Sequence, residues 1–250
     1  MTKLIAVAGK GGTGKTTTAA MTVRYLIEQG KTPVFAVDAD PNYTLGEALG
    51  IPVEQTIGML REKFIGERAE IPPGMSKDAV LERQLHAAIH EAEGVDLLVM
   101  GRQEGPGCYC ALNNVLRNFL EMVSSDYPYV VVDNEAGMEH LSRRNTRKID
   151  VLLIVAEHSV KAARAAGRIS QLAEELGLSI GKSYIVLNKV PGEPSPEVRE
   201  EIKSTGVELL VTLPEDEKLA EADAKGTPIA KLPATPAYER LSGALSGILK

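Results

Sequence analysis

Near the N-terminus, Gly9-Lys10-Gly11-Gly12-Thr13-Gly14-Lys15-Thr16 fits the phosphate-binding pattern G-x-x-x-x-G-K-[ST]. An apolar run, Leu4-Ile5-Ala6-Val7-Ala8, precedes it, and a helical pattern, Thr17 to Glu28, follows. A strand, a glycine-rich loop and a helix in that order are what the motif requires. Glycines let backbone N–H groups turn inward around phosphate oxygens, and the helix N-terminus adds its positive dipole end. Lys15 is placed to reach the β- and γ-phosphates, and the Thr16 hydroxyl to sit on Mg²⁺. Gly11, Gly12, Thr13, Gly14 and Thr17 complete the expected cradle. The chain is therefore expected to bind a nucleoside triphosphate.

The rest of the chain supports a fold for that loop. Short apolar runs alternate with longer amphipathic ones. Strands are expected at Leu4–Ala8, Pro33–Val37, Val95–Met100, Tyr129–Val132, Val151–Val155, Tyr184–Leu187 and Val207–Thr212. They are rich in Val, Leu and Ile and little alternated, as strands buried on both faces are. Helical patterns cover Thr17–Glu28, Asp78–Glu93, Ala111–Val123, Lys161–Leu176 and Ser195–Ser204. The alternation predicts an α/β fold with one doubly wound, mainly parallel sheet flanked by helices. Ile51–Pro73 reads as short helices in a flexible excursion, and Pro191–Pro196 as a surface loop. Ala237–Leu249 reads as an amphipathic helix whose stripe of Leu241, Leu245, Ile248 and Leu249 packs onto the domain. The length of 250 residues suits one large domain, and no internal boundary interrupts residues 1–250.

Bulk properties exclude several partners. The net charge of −6 argues against a broad nucleic-acid surface. Aromatic residues are only 4% of the chain, with no Trp, which argues against base-stacking platforms. No apolar run is long enough for a membrane span. No signal-peptide pattern precedes the phosphate loop, so a cytoplasmic location is expected. Two cysteines in 250 residues are not a disulfide framework.

Lys10, inside the loop, is not required by the simple pattern. Lys10-Gly11-Gly12-Thr13-Gly14-Lys15-Thr16 resembles the deviant phosphate loop of the MinD/ParA/nitrogenase-iron-protein class of ATPases. The resemblance implies that residues 1–250 form a single phosphate-loop ATPase domain. It also implies that Lys10 crosses a homodimer interface to the partner's nucleotide. A cation supplied in trans to a transferring phosphoryl group is worth ~10³–10⁵ in rate.

Acidic residues stand at two expected strand ends. In Val37-Asp38-Ala39-Asp40-Pro41, two carboxylates at i and i+2 point the same way if the strand is extended. This segment resembles switch I of the class. By position, Asp38 would support the Mg²⁺ shell, and Asp40 would orient or activate the attacking water. Val130-Val131-Val132-Asp133 is an apolar strand ending in a second metal-supporting acid. Gly137 resembles the switch II glycine whose N–H senses the γ-phosphate, with the switch running on through His140 to Arg143.

Another strand ends in Asn188-Lys189, and an Asn amide both gives and accepts hydrogen bonds with an adenine edge. Thr212-Leu213-Pro214-Glu215-Asp216 resembles the adenine-side loop of the class. No guanine signature accompanies Asn188, so ATP is favoured over GTP.

Gly105-Pro106-Gly107-Cys108-Tyr109-Cys110 holds both cysteines, one residue apart. Cys-x-Cys is a strained disulfide, and a cytosolic compartment is reducing. Cys110 beside a helix N-terminus favours thiolate and hence metal binding. Two thiolates leave a four-coordinate ion short of ligands, but two copies facing each other supply four. Lys10 points to the same face-to-face dimer. His86 and His90, four apart on the expected helix, share a metal-compatible spacing; Glu82 and Glu93 beside them favour an ordinary solvated face.

Taken together, the chain resembles the CooC-type nickel-insertion ATPases that mature carbon monoxide dehydrogenase, with similar members serving acetyl-CoA synthase. The resemblance rests on the phosphate loop, Asp38-Ala39-Asp40-Pro41, Cys108-Tyr109-Cys110, Asp133 with Ala136-Gly137-Met138-Glu139-His140-Leu141, and Asn188-Lys189. It implies a cytoplasmic homodimer that uses ATP/ADP and Mg²⁺. A Ni²⁺ or Zn²⁺ ion would bridge Cys108 and Cys110 of two chains, and the client would be a nickel enzyme. Neither the ion nor the client is chosen by residue types. Other readings are a MinD/ParA-like regulatory or metal-sensing ATPase, and a nitrogenase-iron-protein-like Fe–S electron carrier. The second is disfavoured because switch II contains no cysteine.

Overall fold

The computed structural model describes residues 2–66, 74–102, 119, 122–123, 125–135 and 148–249. Among these, eight strands form one sheet: β1 (Lys3–Gly9), β2 (Val34–Asp38), β3 (Ile89–Ala92), β4 (Val95–Val99), β5 (Tyr129–Asp133), β6 (Lys148–Glu157), β7 (Ser179–Val190) and β8 (Glu208–Pro214). Their order is β3-β4-β2-β5-β1-β6-β7-β8. All neighbours run parallel except β3 against β4. The helices are α1 (Lys15–Glu28), α2 (Leu45–Leu49), α3 (Ile57–Gly66), α4 (Lys77–Ala87), α5 (Val160–Glu175), α6 (Pro196–Ser204), α7 (Glu217–Lys225) and α8 (Pro236–Ile248). The expected doubly wound, mainly parallel architecture is therefore present.

The central strands are buried on both faces, and their side chains divide by parity. Ile5 and Val7 of β1 join Val131 of β5 and Leu153 of β6 in one core, against α1 and α8. Ala6 and Ala8 join Val130, Val132, Leu152 and Ile154 in the other, against α3, α4 and α5. A parallel sheet covered by helices on both faces leaves no polar side for these strands. That is why they read as continuous apolar runs rather than alternating ones.

Most helix starts are local sequence features. The hydroxyls of Ser76, Ser159, Ser195 and Thr235 accept from the backbone N–H three residues ahead, and Pro follows at the first helical position of α6 and α8. The expected C-terminal stripe is buried: Leu241, Leu245 and Leu249 join the α1-side core, with Ile248 packed against it. Arg24 of α1 stacks over the Tyr238 ring at 4.0 Å, and Tyr238 donates to Glu28. Among the described residues, no helix is long and apolar enough to cross a membrane.

One expected helix is corrected. Asp78–Glu93 is not continuous: α4 stops at Ala87, and Ile89–Ala92 forms the antiparallel edge strand β3. Glu93-Gly94 make a two-residue turn into β4, with Gly94 at φ +77°. His86 therefore ends a helix, edge-on to Phe119 with ring centroids 4.8 Å apart, whereas His90 lies on the strand. His90 Nε2 meets the Gln55 carbonyl oxygen at 2.9 Å. The two imidazoles do not share a helical face, and the metal-compatible spacing has no structural basis. The expected helix Ala111–Val123 lies mostly outside the described residues.

Candidate nucleotide site

Strand β1 ends at Gly9, where a Cβ would come within 2.4 Å of the Val155 carbonyl oxygen on β6. The chain then turns through the loop and enters α1 after Gly14. Gly14 has φ +92°, a conformation that favours glycine, and a Cβ there would lie 2.4 Å from Asn188 Nδ2. The Lys10 carbonyl is the hub of the loop. It accepts from Thr13 Oγ1 at 2.9 Å, from Lys15 Nζ at 3.3 Å and from the Thr13 N–H at 3.5 Å. Lys15 is only 8% exposed, with its ammonium folded over the loop. Gly11, Gly12 and the Lys10 side chain are exposed, and Thr16 and Thr17 are half-buried in the first turn of α1.

Asp38 and Asp133 end β2 and β5, and they are paired in register on neighbouring strands. They are 0% and 1% exposed. Thr16 Oγ1 donates to Asp133 Oδ2 at 2.6 Å. Asp133 Oδ1 is buried and has no hydrogen-bond partner among the described residues. Burial raises the Asp133 carboxyl to about 7 and the Asp38 carboxyl to about 6, against the lowering effect of their hydrogen bonds. A hydroxyl and two buried carboxylates, one with an unpartnered oxygen, suit a small hard cation and fit Mg²⁺. Among the described residues, no group of three or more His, Cys, Asp or Glu is gathered as a metal cage. Mg²⁺ characteristically keeps waters and substrate phosphates as its remaining ligands.

The two carboxylates differ in what they already hold. Asp38 Oδ1 accepts the Asp40 N–H at 3.0 Å and Oδ2 accepts the Leu45 N–H at 2.8 Å. It therefore pins both ends of the Asp40–Leu45 loop. Asp40 is half-buried, and its Oδ1 accepts from Asn42 N at 2.9 Å and Asn42 Nδ2 at 3.0 Å.

The far side of the loop is braced from β7. Asn188 Nδ2 donates to the Thr13 carbonyl at 2.9 Å, and its Oδ1 accepts the Lys189 N–H at 2.9 Å. Lys189, at φ +55°, sends Nζ to the Gly12 carbonyl at 3.0 Å and to Glu157 at 3.3 Å. Pro214 ends β8 and Glu215 follows it. Asp216 caps α7 by accepting from Lys218 and Leu219, and its other oxygen accepts the Ala237 N–H of α8 at 3.1 Å.

Residues 4–229 match the CobQ/CobB/MinD/ParA nucleotide-binding domain family. The chain belongs to this family. It is an ATPase. It is 42% identical to an uncharacterised ATP-binding protein of Methanocaldococcus jannaschii over 92% of this chain and 91% of that one. It is 32% identical to the carbon monoxide dehydrogenase accessory protein CooC of Rhodospirillum rubrum, over 70% of each. Its fold matches the MinD cell division protein of Aquifex aeolicus with a TM-score of 0.70 at 21% identity, covering 99% of this chain and 96% of that one.

Within this ATPase the structure gathers Lys10, Lys15, Thr16, Asp38, Asp40, Asp133, Asn188 and Lys189 at one end of the sheet, around the loop. Cys108, Cys110, Gly137 and His140 lie outside the described residues. Sequence reasoning missed two participants. Glu157, at the end of β6, has a plain strand-end context that gave no signal. Thr44 has no motif of its own, yet its hydroxyl reaches Thr16 Oγ1 at 3.4 Å.

Proposed function

We propose that this ATPase is a homodimeric maturation factor for a nickel enzyme, carbon monoxide dehydrogenase or acetyl-CoA synthase being the client class. The observation that carries the reading is the Cys108-Tyr109-Cys110 pair in a chain 32% identical to a carbon monoxide dehydrogenase accessory protein. Two copies facing each other bring four thiolates to one Ni²⁺ or Zn²⁺ ion, which is the cargo.

In the ATPase half of the cycle, Lys15 neutralises β- and γ-phosphate charge, and the loop N–H groups hold the phosphates. Thr16 and Asp133 would hold Mg²⁺, with Asp38 supporting its shell and fixing the neighbouring loop; the ion would offset charge on the phosphoryl oxygens. Asp40 orients the attacking water, and Lys10 reaches the partner's nucleotide. Asn188, Pro214 and Glu215 flank the adenine, while Lys189 and Asp216 hold the elements that carry them. Gly137 reads the γ-phosphate. ATP and metal then select the same closed dimer, so each tightens the other.

Anaerobic metal content and oligomeric mass test the reading, measured with and without ATP or ADP. The expected result is one Ni²⁺ or Zn²⁺ per dimer, lost in Cys108→Ser/Cys110→Ser while nucleotide binding is retained. A protein that dimerises with ATP alone and binds neither metal would remove the maturation role.

A further inference from the structure

The loop after β2 carries a feature that neither the phosphate motif nor the acidic pairs require. Thr44 stands at the N-cap of α2, where a threonine hydroxyl ordinarily accepts from the helix's own first turn. Its side chain makes no such bond. The Leu45 N–H, the first of the helix, is held by Asp38 Oδ2 from the end of β2. Unused in capping, the exposed Thr44 hydroxyl donates across 28 residues to Thr16 Oγ1 at 3.4 Å. Thr16 passes the relay on, donating to Asp133 Oδ2 at 2.6 Å. It ends at Asp133 Oδ1, buried and unpartnered among the described residues. The loop that delivers Thr44 is fixed at both ends by Asp38, and Tyr43, immediately before it, has φ +39°, which a side chain adopts at a cost. Two hydroxyls from separate elements thus converge on the oxygen-rich corner that fits Mg²⁺.

We infer that Thr44 is a further residue of the magnesium–phosphate site, its hydroxyl giving a hydrogen bond to the oxygen ligands gathered there when a Mg²⁺–nucleotide is bound. The inference rests on the placement of Mg²⁺ by Thr16 and Asp133 proposed above, and not on the nickel-enzyme role. The 3.4 Å contact to Thr16 is at the long limit of a hydrogen bond. A phosphate or metal-polarised water oxygen is a stronger acceptor than a neutral hydroxyl. The loop accordingly couples the end of β2 to the state of the phosphate loop, through a side chain that helix capping leaves free.

The test is the Mg²⁺ dependence of nucleotide binding by the full chain. Fluorescent ADP and ATPγS are titrated with Mg²⁺ and with EDTA, using wild type, Thr44→Val and Thr44→Ser. The wild-type titration shows first whether Mg²⁺ tightens binding, which is the prior reading. Thr44→Val keeps the shape and loses the hydroxyl. It is expected to lose roughly tenfold of the Mg²⁺-linked tightening, as a lost bond to a charged group implies. Affinity in EDTA is expected to match wild type, and Thr44→Ser to restore the Mg²⁺ effect. Unchanged Mg²⁺-linked tightening in Thr44→Val overturns the inference. So does an equal loss with and without Mg²⁺, which would mark Thr44 as a structural residue of the loop.

Discussion

Asp133 is the residue whose chemistry is most at odds with its surroundings in the metal-free protein. Its carboxyl is 1% exposed, accepts one hydrogen bond from Thr16, and is raised from 3.8 to about 7 by burial. Between those values the folded chain holds a proton that the unfolded chain releases. Stability of the metal-free protein therefore falls as pH rises through that window, and the loss is complete above about 7. Asp38, raised to about 6, adds to the same slope. At ~1.4 kcal/mol per unit, the rise at Asp133, to which the Asp38 charge contributes, corresponds to about 4 kcal/mol. Asp133→Asn removes the titration while keeping the shape. In EDTA, its urea-unfolding free energy is expected to exceed wild type by roughly 2 kcal/mol at pH 8 and to converge with it near pH 5. The same variant should lose Mg²⁺-dependent hydrolysis. Parallel wild-type and variant pH profiles would show that the burial of this carboxylate carries no such penalty. A site that destabilises its own apo state is one that a bound cation then stabilises.

At the scale of elements, α8 closes the face of the sheet on which α1 lies. Leu241 is 0% exposed and packs with Ala19, Met21, Val23 and Leu26 of α1 in one core. Leu241→Ala is expected to cost roughly 3 kcal/mol of unfolding free energy. Nucleotide affinity should change by less than about twofold, because the loop end of α1 is held separately by β1, β6 and Asn188 (the two readouts are independent at this distance). A cost under about 1 kcal/mol would mean that α8 does not seal this core. The stripe on α8 was legible because its apolar residues recur at helical spacing and nothing interrupts them. The parallel strands were legible for the complementary reason, as apolar runs ending in Gly9, Asp38, Asp133 and Asn188. What failed was β3. Ile89-His90-Glu91-Ala92 is an edge strand with polar and half-exposed residues, so it carries neither apolar signal and extends the helical pattern before it. The usable clue was Glu93-Gly94, a two-residue hairpin turn between it and Val95. Similarly, β7 starts earlier than expected: Ser179, Lys182 and Ser183 are polar and leave this stretch largely exposed, and pairing with β6 rather than burial defines it. The site was legible where it lies in motifs. Thr44 was not, because a threonine before a helix reads as an N-cap, and its hydroxyl turns to Thr16 instead.

For the whole molecule, the decisive question is whether one chain completes the site of another. Lys15 is folded over its own loop, with Nζ on the Lys10 carbonyl. The Lys10 side chain is exposed, and no contact within the described residues occupies it as a brace in the way Lys189 is occupied by Gly12 and Glu157. An exposed cation beside a phosphate site is positioned to act on a neighbour's nucleotide, and a twofold dimer makes that action reciprocal. Complementation separates action in trans from action in cis. Lys10→Ala and Asp40→Ala are each expected to bind ATP and to lose hydrolysis by at least about 10²-fold. When the two are mixed and allowed to exchange subunits, a mixed dimer has one site with its own Asp40 and the partner's Lys10. The other site lacks both. Random exchange makes half of the dimers mixed and half of their sites complete, so about a quarter of wild-type activity should return. If Lys10 acts on its own chain's nucleotide, every site in every dimer lacks one group, and the mixture stays as inactive as its parts. Recovered hydrolysis would thus place the dimer interface at the γ-phosphate, and any cargo site shared between two chains would open and close with the ATP cycle.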